Sequence, residues 1–446
     1  MRVRVVPNRY VDSVRLMKVA QGVRARDGVS ACEVFMGTPA NLEQLAALGA
    51  RADATPADVV IAVDGPDEAL DAAERELSQT AESREVEEAA PRSLAAVEGA
   101  NLALISVPGE YAVLEAHRAL TRNLHVFLFS DHVSVEDEIA LKRRGAERGR
   151  LVMGPECGTA MLGGVGLGFA NVVRRGPVGI VAAAGTGAQE ASVLLDGAGS
   201  GVSEIIGVGG RDLSAQVGGI MFRAGMELLA ADDETETLLL VSKPPDADAV
   251  RALGDVDVRG KRVVAAFVGW DGGEAPFDVY PTLEAGAMAL GAISLGGMSL
   301  GDIPPARGEG ELLGLFSGGS LAYEAQTILG PGHRILDLGE EEYTQGRPHP
   351  MVDLELRRRM LREDGPNAGR ILLDVVLGHG AHPDPAGELA ETLEPLARER
   401  PVIAHVCGTD ADPQNAGRQE AALRAAGVHV APTNAAAARL AKRVVA

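Results

Sequence analysis

Residues 3–6, 31–35 and 59–63 are short apolar runs with strand character, interleaved with helical periodicity over 11–25, 42–48 and 67–77, so the first part of the chain is expected to fold as a small α+β unit. Residues 80–91 carry almost no apolar side chains, which predicts a linker. From residue 101 the rhythm changes. Apolar runs over 102–107, 126–129 and 151–153 lack polar alternation and are separated by amphipathic stretches over 111–120 and 135–144. A strand buried on both faces needs such a run, so the pattern predicts a parallel sheet covered by helices. The same rhythm predicts strands over 178–183, 204–208, 237–241, 262–268, 312–316, 334–337, 370–376, 401–406 and 429–431, and a helix over 386–396. The Gly- and Pro-rich residues 271–305 then read as the connection between two α/β halves of similar plan.

Composition narrows the class. The 446 residues include 42 Lys+Arg against 63 Asp+Glu, a formal net charge of −21. That balance repels phosphate backbones and anionic lipid, so neither a nucleic-acid nor a membrane partner is expected. At 46% hydrophobic and 24% charged the composition is globular, and with 3% aromatics the core must be aliphatic. No apolar stretch is long enough to span a bilayer, and a cytoplasmic protein is expected. Cys32, Cys157 and Cys407 lie far apart without CxxC spacing, which implies neither a disulfide framework nor a zinc site.

Three turns carry candidate chemistry, each placing glycines between a buried strand and a helix. At Gly185-Thr186-Gly187, free backbone N–H groups and the positive end of the helix dipole would make an anion site. Tight packing of a strand-to-helix loop accounts for the same glycines. Ser317-Gly318-Gly319-Ser320 has the same order, with small residues that let backbone approach a ligand or a neighbouring loop. The third turn, Gly378-His379-Gly380-Ala381-His382-Pro383-Asp384-Pro385, sets two imidazoles and a carboxylate at a helix start. The plainer account is Asp384 as N-cap with Pro385 at the first helical position. The prolines break the helical face that would align His379 and His382 on a metal, so none is assigned. A fourth segment, Gly346-Arg347-Pro348-His349-Pro350, joins a guanidinium suited to bidentate oxyanion recognition to an imidazole on a stiff loop; solvated surface charges explain it equally well. The pattern G-x-x-x-x-G-K-[ST] does not occur, which excludes a Walker A nucleotide site.

At these residues the chain resembles the succinyl-CoA synthetase (NDP-forming acyl-CoA ligase) superfamily and, within it, the FdrA branch. Met153-Gly-Pro-Glu-Cys-Gly158, the run from Gly176 to Glu190, and Gly207-Val-Gly-Gly-Arg-Asp212 are similar to α-subunit motifs. Residues 334–339 and 371–390 are similar, in the expected order, to the β subunit's CoA-ligase domain, and 35–41 and 346–351 resemble stretches particular to FdrA proteins. The resemblance spans about residues 95–440. It implies an α/β fold: a small N-terminal α+β domain (1–90), a partial Rossmann-like, CoA-binding-like domain (91–157), and two flavodoxin-like CoA-ligase domains (158–300 and 301–446). It also implies two helix N-termini facing each other across a phosphoryl group, taken to be those at Gly185-Thr186-Gly187 and after Gly378-His379-Gly380.

The departures from that family set the expected activity. Its phosphorylated His belongs to a Gly-His-Ala-Gly loop, whereas the corresponding residues 269–280 contain no His, and the ATP-grasp nucleotide domain has no counterpart in the sequence. The resemblance to FdrA proteins implies carbamoyl transfer between oxalurate or oxamate and phosphate, with phosphate or carbamoyl phosphate as substrate, no certain cofactor, and CoA as an alternative ligand. Gly185, Thr186, Gly187, Gly318, Gly319, Gly378, Gly380 and His349 are then expected to bind substrate or phosphate, Arg347 the acceptor carboxylate, and His379 or His382 to be catalytic. An acyl-CoA synthetase working with an ATP-grasp partner and a non-catalytic ligand-binding or scaffold subunit are the alternatives. The expected assembly is a homo-oligomer, with a second subunit as a further partner.

Overall fold

The computed structural model describes residues 1–82, 94, 97–291, 311–344 and 347–443, except 10, 12, 25, 27 and 48. Packing divides the chain into two compact units, Met1–Glu98 with Thr344–Pro348, and Gly99–Tyr343 with His349–Ala446.

The first unit contains β1 (Arg2–Val6), α1 (Ser13–Arg24), β2 (Ala31–Met36), α2 (Pro39–Ala47), β3 (Val59–Asp64) and α3 (Asp67–Glu82). The strands form an antiparallel sheet in the order β1-β3-β2. Cys32 and Val34 project from one face of β2 into a core shared with Leu16, Val23, Leu70, Ala73 and Leu77. The last three lie at helical spacing, so α3 runs to Glu82 and enters the stretch expected as a linker. Residues 83–91 of that stretch lie outside the described residues.

The second unit opens with β4 (Leu102–Ile105), α4 (Gly109–Thr121), β5 (His125–Leu128), α5 (Val135–Glu147) and β6 (Val152–Met153), a parallel sheet in the order β4-β5-β6. A hairpin follows, β7 (Thr159–Leu162) and β8 (Val165–Gly168), which the apolar pattern does not signal because its strands are short and β8 is largely exposed. Next come β9 (Arg175–Ala182), α6 (Gly185–Gly197), β10 (Val202–Gly207), α7 (Ile220–Ala231), β11 (Thr237–Ser242), α8 (Ala247–Leu253), β12 (Arg262–Phe267), β13 (Asp278–Tyr280) and α9 (Leu283–Ala289). Their seven-stranded sheet has the order β13-β12-β11-β9-β10-β7-β8. Strand β13 and helix α9 fall in the stretch expected as a plain connection, of which residues 292–305 lie outside the described residues.

The last part comprises β14 (Leu312–Phe316), α10 (Gly319–Leu329), β15 (Arg334–Asp337), α11 (Glu341–Thr344), α12 (Glu355–Glu363), β16 (Arg370–Val376), α13 (Pro385–Ala397), β17 (Val402–Cys407), α14 (Ala416–Ala425), β18 (His429–Ala431) and α15 (Asn434–Arg443). Its parallel sheet has the order β15-β14-β16-β17-β18. The protein is thus α/β with a small N-terminal domain. One apolar core joins the seven-stranded and five-stranded sheets, with Ala184, Ala188 and Val241 meeting Phe316, Leu321, Ala322 and Val376.

The strand orders decide where a site can form. After β9 the chain adds β10 on one side and β11 on the other; after β14 it adds β15 on one side and β16 on the other. Each is a switch point, where successive connections diverge and leave a crevice at the carboxyl end of the strand. Gly185 and Gly319 follow those two strands.

Candidate functional site

Helices α5, α8, α9 and α14 are capped by the side chains of Ser134, Asp246, Thr282 and Asn415. Neither α6 nor α10 has a side-chain cap, and neither carries an acid in its first turn. The first N–H groups of a helix have no partner within it, so both starts present donors and the positive end of a dipole. The two starts face each other. The Ser320 N–H donates to Thr186 Oγ1 at 3.3 Å. A side chain at Gly318 would lie 3.0 Å from Thr186, and one at Gly187 would lie 3.3 Å from Ser320 Cβ, so glycine is what permits the approach.

Buried acids fix this geometry from behind. Asp374 on β16 accepts from the Ser317 N–H at 2.8 Å, the Ser317 hydroxyl at 3.0 Å and the Gly318 N–H at 2.8 Å, and it is paired with Arg357 at 2.8 Å. The Gly318 N–H is therefore committed to Asp374, and the donors left to a ligand begin at Gly319. Five residues into each helix stands a buried glutamate, Glu190 and Glu324. Glu190 pairs with His405 at 2.7 Å; burial alone would push its carboxyl up, but the imidazole holds it below the usual range. Glu324 accepts from the Leu283 N–H and from Asn434 Nδ2, both at 2.7 Å, and burial pushes it up to about 7. Asn434 also donates its own N–H to Glu190 at 3.2 Å, so one residue ties the two helices together.

Two side chains from strand ends, Lys243 and Asp337, meet the α10 start, and His349, from the segment between α11 and α12, stands near Asp337. Lys243, in the loop after β11, is exposed, and a Cβ on Gly319 would stand 3.4 Å from its Nζ. No described residue gives this ammonium a hydrogen bond or an ion pair. Asp337, at the end of β15, crowds the same point so closely that a side chain at Gly319 would collide with its Oδ2. His349 Nε2 lies 2.9 Å, and Asp337 Oδ1 3.1 Å, from where a Cβ on Gly339 would be. The His349 ring is tilted against Phe169 with centroids 5.5 Å apart, and burial pushes its pKa down to about 4. Glu190, Asp337 and Asp374 lie inside stretches that carry the resemblance, but neither they nor Lys243, Glu324 and Asn434 stand out in the sequence; except for Asn434, which opens α15, they lie in or just after a strand or inside a glycine-led helix.

Of the residues expected to bind phosphate, Gly185, Thr186, Gly187, Gly318 and Gly319 come together, with His349 beside them. The expected pairing of α6 with the helix after Gly378-His379-Gly380 is corrected: the partner of α6 is α10. Helix α13 has little left to offer an anion, because Pro385 has no N–H, the Ala386 N–H donates to Gln419 at 2.8 Å, and Glu388 stands in the first turn. Asp384 does not cap it with its side chain, which accepts instead from Gln419. The turn before it packs on the segment after β8: the His379 N–H donates to Ala170 O at 2.8 Å, and side chains at Gly378 and Gly380 would meet Ala170 and Phe169. His382 is buried and paired with Glu388 at 2.9 Å, while its Nδ1 accepts the Asp384 N–H. The expected catalytic roles of His379 and His382 therefore have no support in the geometry. Arg347 is exposed and groups with the first unit, and Gly346 lies outside the described residues. Among the described residues no three His, Cys, Asp or Glu side chains gather as a metal site would require, and no described helix is long and apolar enough to cross a membrane.

A CoA-ligase family matches residues 315–444, and a family described as AllF, heavy metal-associated domain, matches residues 1–95. The chain is 28% identical to the alpha-2 subunit of the mitochondrial ADP-forming succinate–CoA ligase of Trichomonas vaginalis, over 38% of this chain and 56% of that one. It thus spans little more than half of that relative's length. A crystal structure of PH0766 from Pyrococcus horikoshii OT3 is similar at a TM-score of 0.37 and 16% identity, covering 79% of this chain and 85% of that chain. Fold and site together define an α/β protein with a CoA-ligase match over its last part, residues 315–444. With 36% identity across 98% of its length and 97% of the relative's, the chain belongs to the family of the uncharacterized Escherichia coli (strain K12) protein YahF.

The heavy-metal description does not fit the residues present. Cys32 is the one cysteine and there is no histidine in residues 1–95. Its side chain is wholly buried in the core of the first unit, and burial pushes the thiol up to about 12. A soft metal needs an accessible thiolate.

Proposed function

We propose that this chain is an FdrA-like transferase subunit that holds phosphate or carbamoyl phosphate between the starts of α6 and α10 and passes a carbamoyl group between phosphate and the oxamate nitrogen, interconverting oxamate and oxalurate. The observation that carries this is the contact of Thr186 with Ser320 beside the unpaired ammonium of Lys243. Three convergent positive groups suit a phosphate dianion and the charge that builds on it during acyl transfer. Carbamoyl transfer to or from phosphate needs no phosphohistidine and no nucleotide, in keeping with the lack of histidine in residues 269–280. Work in the cytoplasm, as a homo-oligomer with a second subunit supplying further contacts to the acceptor, belongs to the same proposal.

A second reading, acyl-CoA synthesis with an ATP-grasp partner, is favoured by the CoA-ligase match over residues 315–444. Against it stands the lack of histidine in residues 269–280, where that reading expects the phosphorylated residue.

Thermal-shift titration of the full chain separates these readings, since a ligand at a hundred times its Kd stabilises by about 2.7 kcal/mol. Stabilisation by carbamoyl phosphate and not by CoA is the expected result. Stabilisation by CoA alone would move the assignment to the ligase, and none by carbamoyl phosphate, phosphate, CoA or ATP would leave a scaffold subunit.

A further inference from the structure

Two aspartates stand behind the α10 start, and their surroundings differ in kind. Asp374 is saturated: both oxygens are taken by Ser317, Gly318 and Arg357, and it is fully buried. Asp337 has one hydrogen bond, with Oδ1 accepting the Gly339 N–H at 2.9 Å, while Oδ2 is turned to the first residue of α10. Asp337 is half-buried rather than enclosed, so its Oδ2 is open to a ligand at the α10 start. The charged and titratable groups around Asp337 are Lys243 from the loop after β11, Glu340 from the turn that follows β15, Asp374 from β16 and His349.

We propose that Asp337 is the proton-transfer residue of the paired-helix site, with Lys243 holding the substrate's phosphate beside it. The inference rests on the transferase function proposed above. In the direction of carbamoyl phosphate formation, an oxygen of hydrogen phosphate attacks the terminal carbamoyl carbon of oxalurate. A C–O bond forms, and the C–N bond to the oxamate nitrogen breaks. That nitrogen leaves as an amide only if it gains a proton, which protonated Asp337 gives. The carboxylate so formed takes the remaining proton of the phosphate, so that hydrogen phosphate and oxalurate become the carbamoyl phosphate dianion and oxamate without net proton gain or loss. In reverse, the carboxylate removes a proton from the oxamate nitrogen as it attacks carbamoyl phosphate. No oxidant, metal or nucleotide enters the balance.

The environment suits a group that must both give and take a proton near neutrality. Burial pushes the Asp337 carboxyl up to about 6, against the Gly339 N–H and Lys243, which hold it down, with Glu340 and Asp374 raising it further. His349 does not compete for this role. Burial keeps it neutral at about 4 and its Nδ1 accepts the Met351 N–H at 3.2 Å, so its one ring proton is on Nε2. That places a fixed N–H beside Asp337, suited to a carbonyl or phosphate oxygen.

The test is carbamoyl transfer from carbamoyl phosphate to oxamate by the full chain, with any subunit that co-purifies, over roughly pH 5 to 9. Asp337→Asn keeps an acceptor for the Gly339 N–H. The expected result is a loss of about 10² or more in kcat, with KM for carbamoyl phosphate little changed and the wild-type fall in rate below about pH 6 abolished; Asp337→Glu should restore part of both. Lys243→Met, at an exposed side chain, should instead raise KM for carbamoyl phosphate about tenfold. An Asn variant with wild-type kcat and an unchanged acid limb would overturn the role of Asp337 and leave the transferase standing. Unaltered KM in the Met variant would do the same to Lys243. If the wild-type protein transfers no carbamoyl group in either direction, both the inference and the function beneath it fail.

Discussion

The backbone N–H of Ser320 donates to the hydroxyl of Thr186 at 3.3 Å, joining two helix starts that lie 134 residues apart in the chain. Two positive dipole ends do not attract each other. What holds them together is the apolar core shared by α6 and α10, the anchoring of Ser317 and Gly318 by Asp374, and the bridge from Asn434 to Glu190 and Glu324. Two positive ends held together in this way are stabilised when an anion enters between them.

Widening the gap should weaken anion binding before it unfolds the protein. In Gly318→Ala the new methyl would press on Thr186 at 3.0 Å, and phosphate affinity measured by calorimetry is expected to fall about tenfold, equivalent to about 1.4 kcal/mol. Gly187→Val should lose stability as well, because Gly187 is buried with Val241 3.1 Å from its missing side chain.

His382→Ala should cost stability rather than turnover. Removing the imidazole strands the Asp384 N–H and leaves Glu388 without its main partner, a loss of about 1–3 kcal/mol. Denaturant unfolding should show it, while kcat stays at the wild-type value; His379→Ala, at an exposed residue, should alter neither.

Breaking the support behind the α10 start should be severe. Asp374→Ala leaves Arg357, 1% exposed, as an uncompensated buried charge, and a loss of about 3–5 kcal/mol is expected in equilibrium unfolding.

Glu324 sets a pH dependence whose sign is opposite to that of an ion-paired acid. Its pKa is raised from the usual 4.5 to about 7, so the folded state binds the proton more tightly than the unfolded one. Stability is therefore lost as pH rises from about 4.5, and the full loss is reached above about 7. The melting temperature of Glu324→Gln relative to wild type should rise across that window and level off beyond it; a constant difference would show that Glu324 does not titrate there.

The first unit should not take up a thiophilic metal. With Cys32 buried and its thiol raised to about 12, titration with Cu(I) or Zn(II) should give no stoichiometric binding lost in Cys32→Ser, and Cys32 should resist thiol reagents until the protein unfolds.

Much of the architecture was legible in the chain because both its signals are local. Uninterrupted apolar runs such as Ile371 to Val375 can be buried only in the middle of a covered sheet, and Gly185 and Gly319 mark the helix starts that follow β9 and β14. Short elements with mixed faces gave no such signal. The β7–β8 hairpin and β13 are held by their partners in the sheet rather than by their own periodicity.

The sequence by itself determined that glycine-led helices would follow buried strands, and that their first turns at Gly185 and Gly319 would carry neither acid nor side-chain cap. Which two helices meet was decided only by the tertiary structure. The turn at Gly378 looked the richer in chemistry, yet its donors are spent on Ala170 and Gln419, while the plainer turn at Gly318 faces Thr186. Pairing is set by how two sheets pack and where each reverses its strand order, relations between residues far apart in sequence. For the same reason Lys243 and Asp337, ordinary charged residues at the ends of strands in different sheets, become neighbours only once those two sheets pack together.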